Sequence, residues 1–592
     1  MSSWGSTYTM KRIEALRSVN SVASLATLLG FKTSALNYIL FKLPDASKYR
    51  TFTIPKRSGG VRTISAPDPR LKLLQKKLSS LLNDCLVEIE EDLQSPAHGF
   101  KPGRSIFSNA TQHRRRRYVL NLDLEDFFPS IHFGRIAGYL EKSKHFGLDP
   151  KIAKILANLL CHNSALPQGA PSSPVVSNLL ARMLDTQLAR LAKRNRLSYS
   201  RYADDLTFST NLKSFPPTVA KQVTEHKWEL GDDLTSTIRS CGFRINNAKT
   251  RMQYKSSRQV VTGLVVNDKV SVPVEYRRWA RAAVARLVSK GTYFEPLPKD
   301  FVGPPLVEPS TGTLDHLEGC LSHIYNAHRF QREQSALGRS QKNPTADLHS
   351  DELVYRRFLY YSKFYASNKP VVVTEGETDS IYLASAISAL SKKFPQLIKS
   401  ELKKGEADRF NIKFVKHSAV TGRLLGLNGG TDALKNFCRI YVDQVKKFKS
   451  GTLSHPVIVV VDNDNAGRDV SNYVKGIAKH QGLTTDKELD YTFARPNLYV
   501  TSIKCPTIKG DCVIENLFPE SLLKTKLGKK TLTLSNQKAG EDEYGKMFFA
   551  KHVVPNATEQ EFSGFEQLLN TFLDILSDFA SRVQLPPAAT KA

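Results

Sequence analysis

The chain has 592 residues, 41% hydrophobic and 24% charged, which excludes a disordered protein and a single small domain and calls for two or more cores. An excess of 85 Lys and Arg over 56 Asp and Glu leaves a formal charge of +29 and points to a polyanionic partner, nucleic acid before an anionic membrane surface. No apolar run reaches the ~20 residues that span a bilayer, and MSSWGSTYTMKRIEAL lacks the apolar stretch of a signal peptide, so no membrane association and a cytoplasmic location are expected.

In chain order, LKLLQKKLSSLLNDCL carries helical periodicity and YVLNLDL reads as a strand. The Pro- and Gly-rich GTYFEPLPKDFVGPPLVEPSTGT predicts an irregular loop between the helices YRRWARAAVARLVSK and LEGCLSHIYNAHRF. The polar QREQSALGRSQKNPTADLHSDE reads as a linker. Beyond it, the apolar strands PVVVTE and PVIVVVD alternate with helical segments such as DSIYLASAISALSKK, a pattern that predicts a mainly parallel α/β sheet. Seven cysteines lie scattered without a C-x-x-C; Cys505 and Cys512 are the closest pair, and reduced structural thiols are expected.

RYADDLTFS places two adjacent aspartates between β-favouring residues. Strand, turn and strand fit this string, and the turn would project Asp204 and Asp205 into a cleft. Carboxylates so close repel unless a cation neutralises them. Asp123, ending the apolar strand YVLNLDL, lies within reach of the same cleft. Three carboxylates could hold two Mg²⁺ ions about 4 Å apart, as nucleotide transfer requires. The alternative for YADD alone is a capped turn with solvated acids.

The surrounding order of motifs bears on that choice. KRSGGVRTISAPDPRLKLLQ, HGFKPGRSI, LNLDLEDFFPSI, LPQGAPSSPVVSN, YADDLTFS, GFRINNAKT and VVTGLVVND follow one another as in reverse transcriptases, which this region closely resembles. The resemblance implies Asp123, Asp204 and Asp205 as metal ligands, and Phe128 as the bulky residue that collides with a ribose 2′-hydroxyl and favours dNTPs. It implies Gln168 and Gly169 as the walls of the template and nucleotide pocket, and Arg62 as a grip on the triphosphate. Lys249 matches a lysine near the same phosphates, with a solvated surface lysine equally open. Arg114, Arg115, Arg116 and Arg117 would meet RNA phosphates, the alternative being a solvated face.

Asn109 and His113 in NATQH match the N-A-x-x-H signature of retron reverse transcriptases, and Val261, Thr262 and Gly263 match their V-T-G signature; these five residues are expected to bind RNA. Retron enzymes use a structured noncoding RNA as primer and template, start DNA from the 2′-hydroxyl of an internal guanosine, and yield branched RNA-linked DNA. They lack an RNase H domain, so a host RNase H is an expected partner.

The second region ends two parallel strands in acids, Glu375 in VVVTEGETD and Asp462 with Asp464 in VIVVVDNDNAG, at the sheet edge where α/β sites are built. One residue between the aspartates lets both approach one Mg²⁺. This region resembles a Toprim domain, which implies Glu375, Asp462 and Asp464 as catalytic ligands of Mg²⁺ or Mn²⁺, with Asp379 as a further metal ligand as in the nuclease-like groups. Asp511 and Glu515 match later acids only loosely, and helix capping is slightly preferred for them.

The expected architecture is a right-hand reverse transcriptase over 1–335 (fingers and palm to about 268, thumb about 269–335), a linker and connecting helix over 336–367, a Toprim α/β domain over 368–520 and a helical tail over 521–592. The whole resembles the retron family that includes the Ec67 type, which implies a bacterial antiphage role with the Toprim domain as a nuclease effector and is compatible with a homo-oligomer. Alternatives are a noncatalytic Toprim-like binding module and a group II intron-type maturase.

Overall fold

Leu120, Leu122 and Leu124 alternate with Asn121 and Asp123, so the strand carrying them presents an apolar row to one side and a polar row to the other. The computed structural model describes residues 11–55, 60–90, 95–225, 227–295, 311–335, 348–399, 409–451, 453–483, 489–505, 510–534, 540 and 542–584. Most of the expected irregular loop (296–310) and of the linker (336–347) lies outside these residues.

Two compact units divide the chain: residues 11–274 with 327–332, and residues 275–295, 311–326, 333–335 and 348–584. In the first, β1 (Tyr49–Pro55) and β2 (Val61–Pro67) form an antiparallel hairpin that leads into the long helix α1 (Pro69–Glu90). A short helix, α2 (Ile106–Thr111), precedes the strand β3 (Tyr118–Glu125), and α3 (Ser173–Arg194) precedes β4 (Ser198–Tyr202) and β5 (Asp205–Thr210). The sheet runs β4-β5-β3-β6, with β6 at Arg244–Ile245, and β7 (Arg251–Tyr254) pairs on β3; its pairs are antiparallel. Its apolar face, with Leu120, Leu122, Leu206 and Phe208, joins α1 and α3 in one core. A two-residue hairpin, β8 (Val260–Val261) with β9 (Leu264–Val265), follows.

The second unit centres on β10 (Val371–Val373), β11 (Lys413–Phe414), β12 (Val457–Val461), β13 (Tyr491–Ala494) and β14 (Leu498–Ser502). Their order is β11-β10-β12-β14-β13, parallel except for the edge strand β13. Strands such as VIVVV, buried along their whole length, suit a sheet covered on both faces. The helices α4 (Glu377–Ala389), α5 (Asn465–His480), α6 (Lys546–His552) and α7 (Glu566–Gln584) belong to this unit. The segment after 520 is no loose appendage: Phe549, Phe565, Leu569 and Phe572 share a core with Tyr382 and Phe518. One correction concerns a smaller feature. The sulfurs of Cys505 and Cys512 are bonded, with Cα atoms 6.2 Å apart, where reduced thiols were expected. Within the expected linker and connecting helix, a helix at Ser350–Leu359 continues as a π-helical turn to Tyr365.

One buried ion pair fixes the catalytic-side strand of the first unit. Arg201 points to the apolar face with no exposed surface, and donates to both carboxylate oxygens of Asp185 on α3 at 2.8 and 2.7 Å. It also donates to Asn178 Oδ1 at 3.2 Å and to the Ala203 carbonyl at 3.0 Å. A charge this deep is tolerable only because four of the five guanidinium N–H groups find acceptors, two of them on one carboxylate. Asp185→Ala, which leaves the guanidinium buried without its anion, is expected to destabilise the first unit by ~3–5 kcal/mol in chemical unfolding. Adding Arg201→Met should recover much of that loss; a double variant no more stable than the single one would contradict this account.

Candidate active sites

The β4–β5 turn contains only Ala203 and Asp204, because Tyr202 pairs with Asp205. Ala203 takes a left-handed φ of 57°, which costs a non-glycine residue ~1–2 kcal/mol. The neighbouring structure holds it there. Arg201 grips its carbonyl, the Asp204 carbonyl accepts from Leu124 N at 3.0 Å, and Gly99 packs so closely that a Cβ there would lie 2.5 Å from Ala203 N.

This register places Asp123 directly opposite Asp205, with Asp204 beside them in the turn. The protein environment pushes the Asp205 carboxyl up to about 7, with the charges of Asp204 and Asp123 adding to desolvation. Asp204 is raised as well, first by desolvation and then by Asp123. Lys249 answers part of this repulsion, donating to Asp123 Oδ2 at 2.9 Å, and its own pKa rises through that bond. Asp204 and Asp205, both raised, beside Asp123 make a set of hard oxygen donors that suits Mg²⁺, which would supply activation of the attacking hydroxyl and neutralisation of the leaving phosphate.

The other expected pocket residues are brought near by backbone contacts. Ser65 N on β2 donates to the Gln168 carbonyl at 2.8 Å. Gly169, with φ 119°, sits where a Cβ would meet Ser65 O at 2.8 Å, so only glycine lets this loop lie on the hairpin. Arg62 is exposed on the same strand, and its charge offsets part of the rise of Asp204. Phe127 is buried and stacks on Phe243 at 5.6 Å, while Phe128 is half-buried, in ring contact with Phe100 at 6.2 Å.

The two signature strings turn out to be neighbours. Thr262 and Gly263, with φ of 47° and 81°, form the tight turn of the β8–β9 hairpin, and Thr262 Oγ1 donates to the Ile106 carbonyl of α2 at 3.4 Å. Val261 is buried, and so are Asn109 and His113. In the arginine run, Arg115 pairs with Asp268 at 2.7 Å and Arg116 donates to Ser198 at 3.1 Å, whereas Arg114 and Arg117 are exposed.

The second unit gathers its acids at the carboxyl ends of β10 and β12. Glu375 is raised by burial and by Asp379 and Asp464; Asp462 is pushed up to about 7 by burial, Asp379, Glu375 and Glu515. Asp379 is raised by burial and accepts from Gly376 N at 2.8 Å, and Asp464 accepts from Gly467 N at 2.7 Å, so both also cap helices. Gly467 is obligatory, since a Cβ would lie 1.8 Å from the Asp462 carbonyl. Asp511 pairs with Arg468 at 2.8 Å. Glu515, for which capping was slightly preferred, is buried at the cluster, and Lys546 of α6 reaches it at 2.9 Å. Lys546 carries no motif that sequence could flag.

A palm-like antiparallel sheet with one carboxylate in a tight turn and two on the strands beside it defines a nucleotidyl-transfer class of centre. The reverse transcriptase (RNA-dependent DNA polymerase) family model matches residues 54–276. Retron Ec86 reverse transcriptase of Escherichia coli is 36% identical over 241 residues, 40% of this chain and 69% of that one. Retron Ec83 reverse transcriptase of Escherichia coli is 33% identical over 259 residues, 42% of this chain and 78% of that one. Retron Mx162 reverse transcriptase of Myxococcus xanthus is 37% identical over 299 residues, 46% of this chain, which spans 60% of that relative's length. The chain belongs to the retron reverse transcriptases.

Because Asp205 holds its proton up to about pH 7, Mg²⁺ binding should displace it. Calorimetry in buffers of differing ionisation enthalpy should find protons released per Mg²⁺ at pH 6.5 and fewer at pH 8.5. A release independent of pH, or unchanged in Asp205→Asn, would contradict the assignment.

Proposed function

We propose that the first unit is an RNA-directed DNA polymerase that extends from a guanosine 2′-hydroxyl of its cognate structured RNA, using dNTPs and making branched RNA-linked DNA. The observation that carries this reading is the register that sets Asp123 against Asp205 beside Asp204. Asp123, Asp204 and Asp205 would hold two Mg²⁺ ions, and Lys249 and Arg62 would meet the triphosphate. Half-buried Phe128 would exclude a ribose 2′-hydroxyl from the nucleotide pocket, against the Gln168–Gly169 loop. Exposed Arg114 and Arg117 would contact RNA phosphates, and a host RNase H would trim the template. Among the described residues, no helix is long and apolar enough to cross a membrane, which is compatible with work in the bacterial cytoplasm.

For the second unit we propose a Toprim nuclease that acts as effector in antiphage defence, its Glu375, Asp379, Asp462 and Asp464 holding Mg²⁺ or Mn²⁺. The reading is supported by acids that end neighbouring parallel strands and oppose one another's ionisation. Restraint by the bound RNA–DNA product follows from the hazard of tethering a nuclease to a DNA-making domain.

Expressed with its flanking locus, the protein is expected to co-purify with a nucleic acid that RNase, DNase and debranching treatments resolve as 2′,5′-linked RNA–DNA. Asp204→Ala with Asp205→Ala should abolish it. RNA alone in both samples would refute self-primed synthesis. Glu375→Ala should abolish toxicity on product removal while leaving DNA synthesis intact; toxicity that survives this change would favour a noncatalytic module.

A further inference from the structure

The signature pair Asn109 and His113 has no route to RNA in this fold. Asn109 is 1% exposed, and His113, Ser200 and Ser209 are 0% exposed. His113 Nδ1 lies 2.7 Å from Ser209 Oγ and Nε2 lies 2.7 Å from Ser200 Oγ, so one imidazole bridges β5 and β4. The direction of the chain follows from its last bond. Ser200 donates its hydroxyl to Asn109 Oδ1 at 2.7 Å, so toward His113 it accepts. Nε2 therefore carries the proton, and Nδ1 accepts from Ser209. Burial, helped by Arg116 and His98, pushes His113 down to about 3, which agrees with a neutral ring.

The bridge lies on the functional side of the sheet. Ser209 pairs with Val119, Thr207 with Asn121 and Asp205 with Asp123, so these positions alternate onto one face, the one that ends in the metal-binding acids. Along it Thr207 Oγ1 donates to Asn121 Oδ1 at 3.1 Å, between the imidazole and the carboxylates. Ser200 stands opposite Thr207 while Ser209 stands opposite Ser198, so His113 ties the two strands on a diagonal. A diagonal tie resists sliding of one strand along the other, the motion that would carry the Ala203–Asp204 turn away from Asp123.

We propose that His113 is a positioning residue for the polymerase centre: as a neutral Nε2–H imidazole it locks β4 to β5 behind the aspartate turn, and the Asn109–His113 signature acts through that lock, not by touching RNA. The proposal rests on the polymerase reading of the first unit. His113 makes or breaks no bond in the reaction; its effect is on where Asp204 and Asp205 stand.

The test uses the full chain, an RNA template and an annealed DNA primer supplied in trans. His113→Phe removes both hydrogen bonds at similar shape, Ser209→Ala removes one, and His113→Gln keeps a donor toward Ser200. A displaced catalytic group lowers turnover by up to about 100-fold. The expected result is a kcat down by about 10- to 100-fold in His113→Phe, smaller losses in Ser209→Ala and His113→Gln, and KM for dNTP and affinity for the cognate RNA within about twofold of wild type. Loss of RNA affinity at unchanged kcat would overturn the proposal and return the residue to RNA contact; an unchanged kcat in both His113→Phe and Ser209→Ala would overturn it too. Should His113→Phe fail to fold, Ser209→Ala decides by the same split. A wild-type chain that incorporates no dNTP would refute the polymerase reading instead. In that event ¹⁵N NMR of histidine-labelled protein still decides the lock: a neutral Nε2–H His113 at pH 7 supports it, and an Nδ1–H or charged ring overturns it.

Discussion

Everything in the first unit depends on holding three carboxyl groups together before any cation arrives. Asp123 and Asp205 face each other across β3 and β5, and Asp204 sits in a turn whose Ala203 is in a left-handed conformation. Each of these choices is unfavourable alone. The surrounding fold therefore concentrates its strongest directional interactions there: the bidentate Arg201–Asp185 pair on the apolar face and the His113 bridge on the polar one. Buried polar networks of this kind add less to net stability than to uniqueness of geometry, because a partly satisfied version is costly.

The second unit meets the same constraint with different topology. Parallel strands deliver acids to a common edge, where burial first, and then neighbouring carboxylates, raise Glu375, Asp379 and Asp462. Two of the acids are tethered by helix N-termini, since Asp379 and Asp464 each accept a backbone N–H. A capping bond and a ligand role are compatible, because a carboxylate has a second oxygen to offer.

Much of the polymerase centre was legible because its determinants are local strings: YADD fixes a two-residue turn, and the alternation in YVLNLDL fixes which side Asp123 faces. Exposure was not legible. Nothing in NATQH distinguishes an RNA contact from a buried bridge, because the partners Ser200 and Ser209 lie 87 and 96 residues away. Arg201 is likewise placed by the strand's parity and by Asp185 on α3, neither of which the string RYADD shows. The same holds for Glu515 and Lys546, and for the bond between Cys505 and Cys512.

The two acidic centres also differ in how their lysines are held, and the difference follows from burial. Lys249 pairs with Asp123 while its side chain stays 57% exposed, so the pair is screened by water and weak against a divalent cation. Lys546 is bound to a Glu515 whose side chain is 2% exposed, where removing the cation would strand a buried negative charge. The first centre thus has a counter-ion that water already screens. The second keeps one built in, supplied by α6, whose place is fixed by the core that Phe549, Phe565 and Phe572 share with Tyr382. The segment after 520 is in this sense part of the second centre, and its packing sets the charge that centre presents.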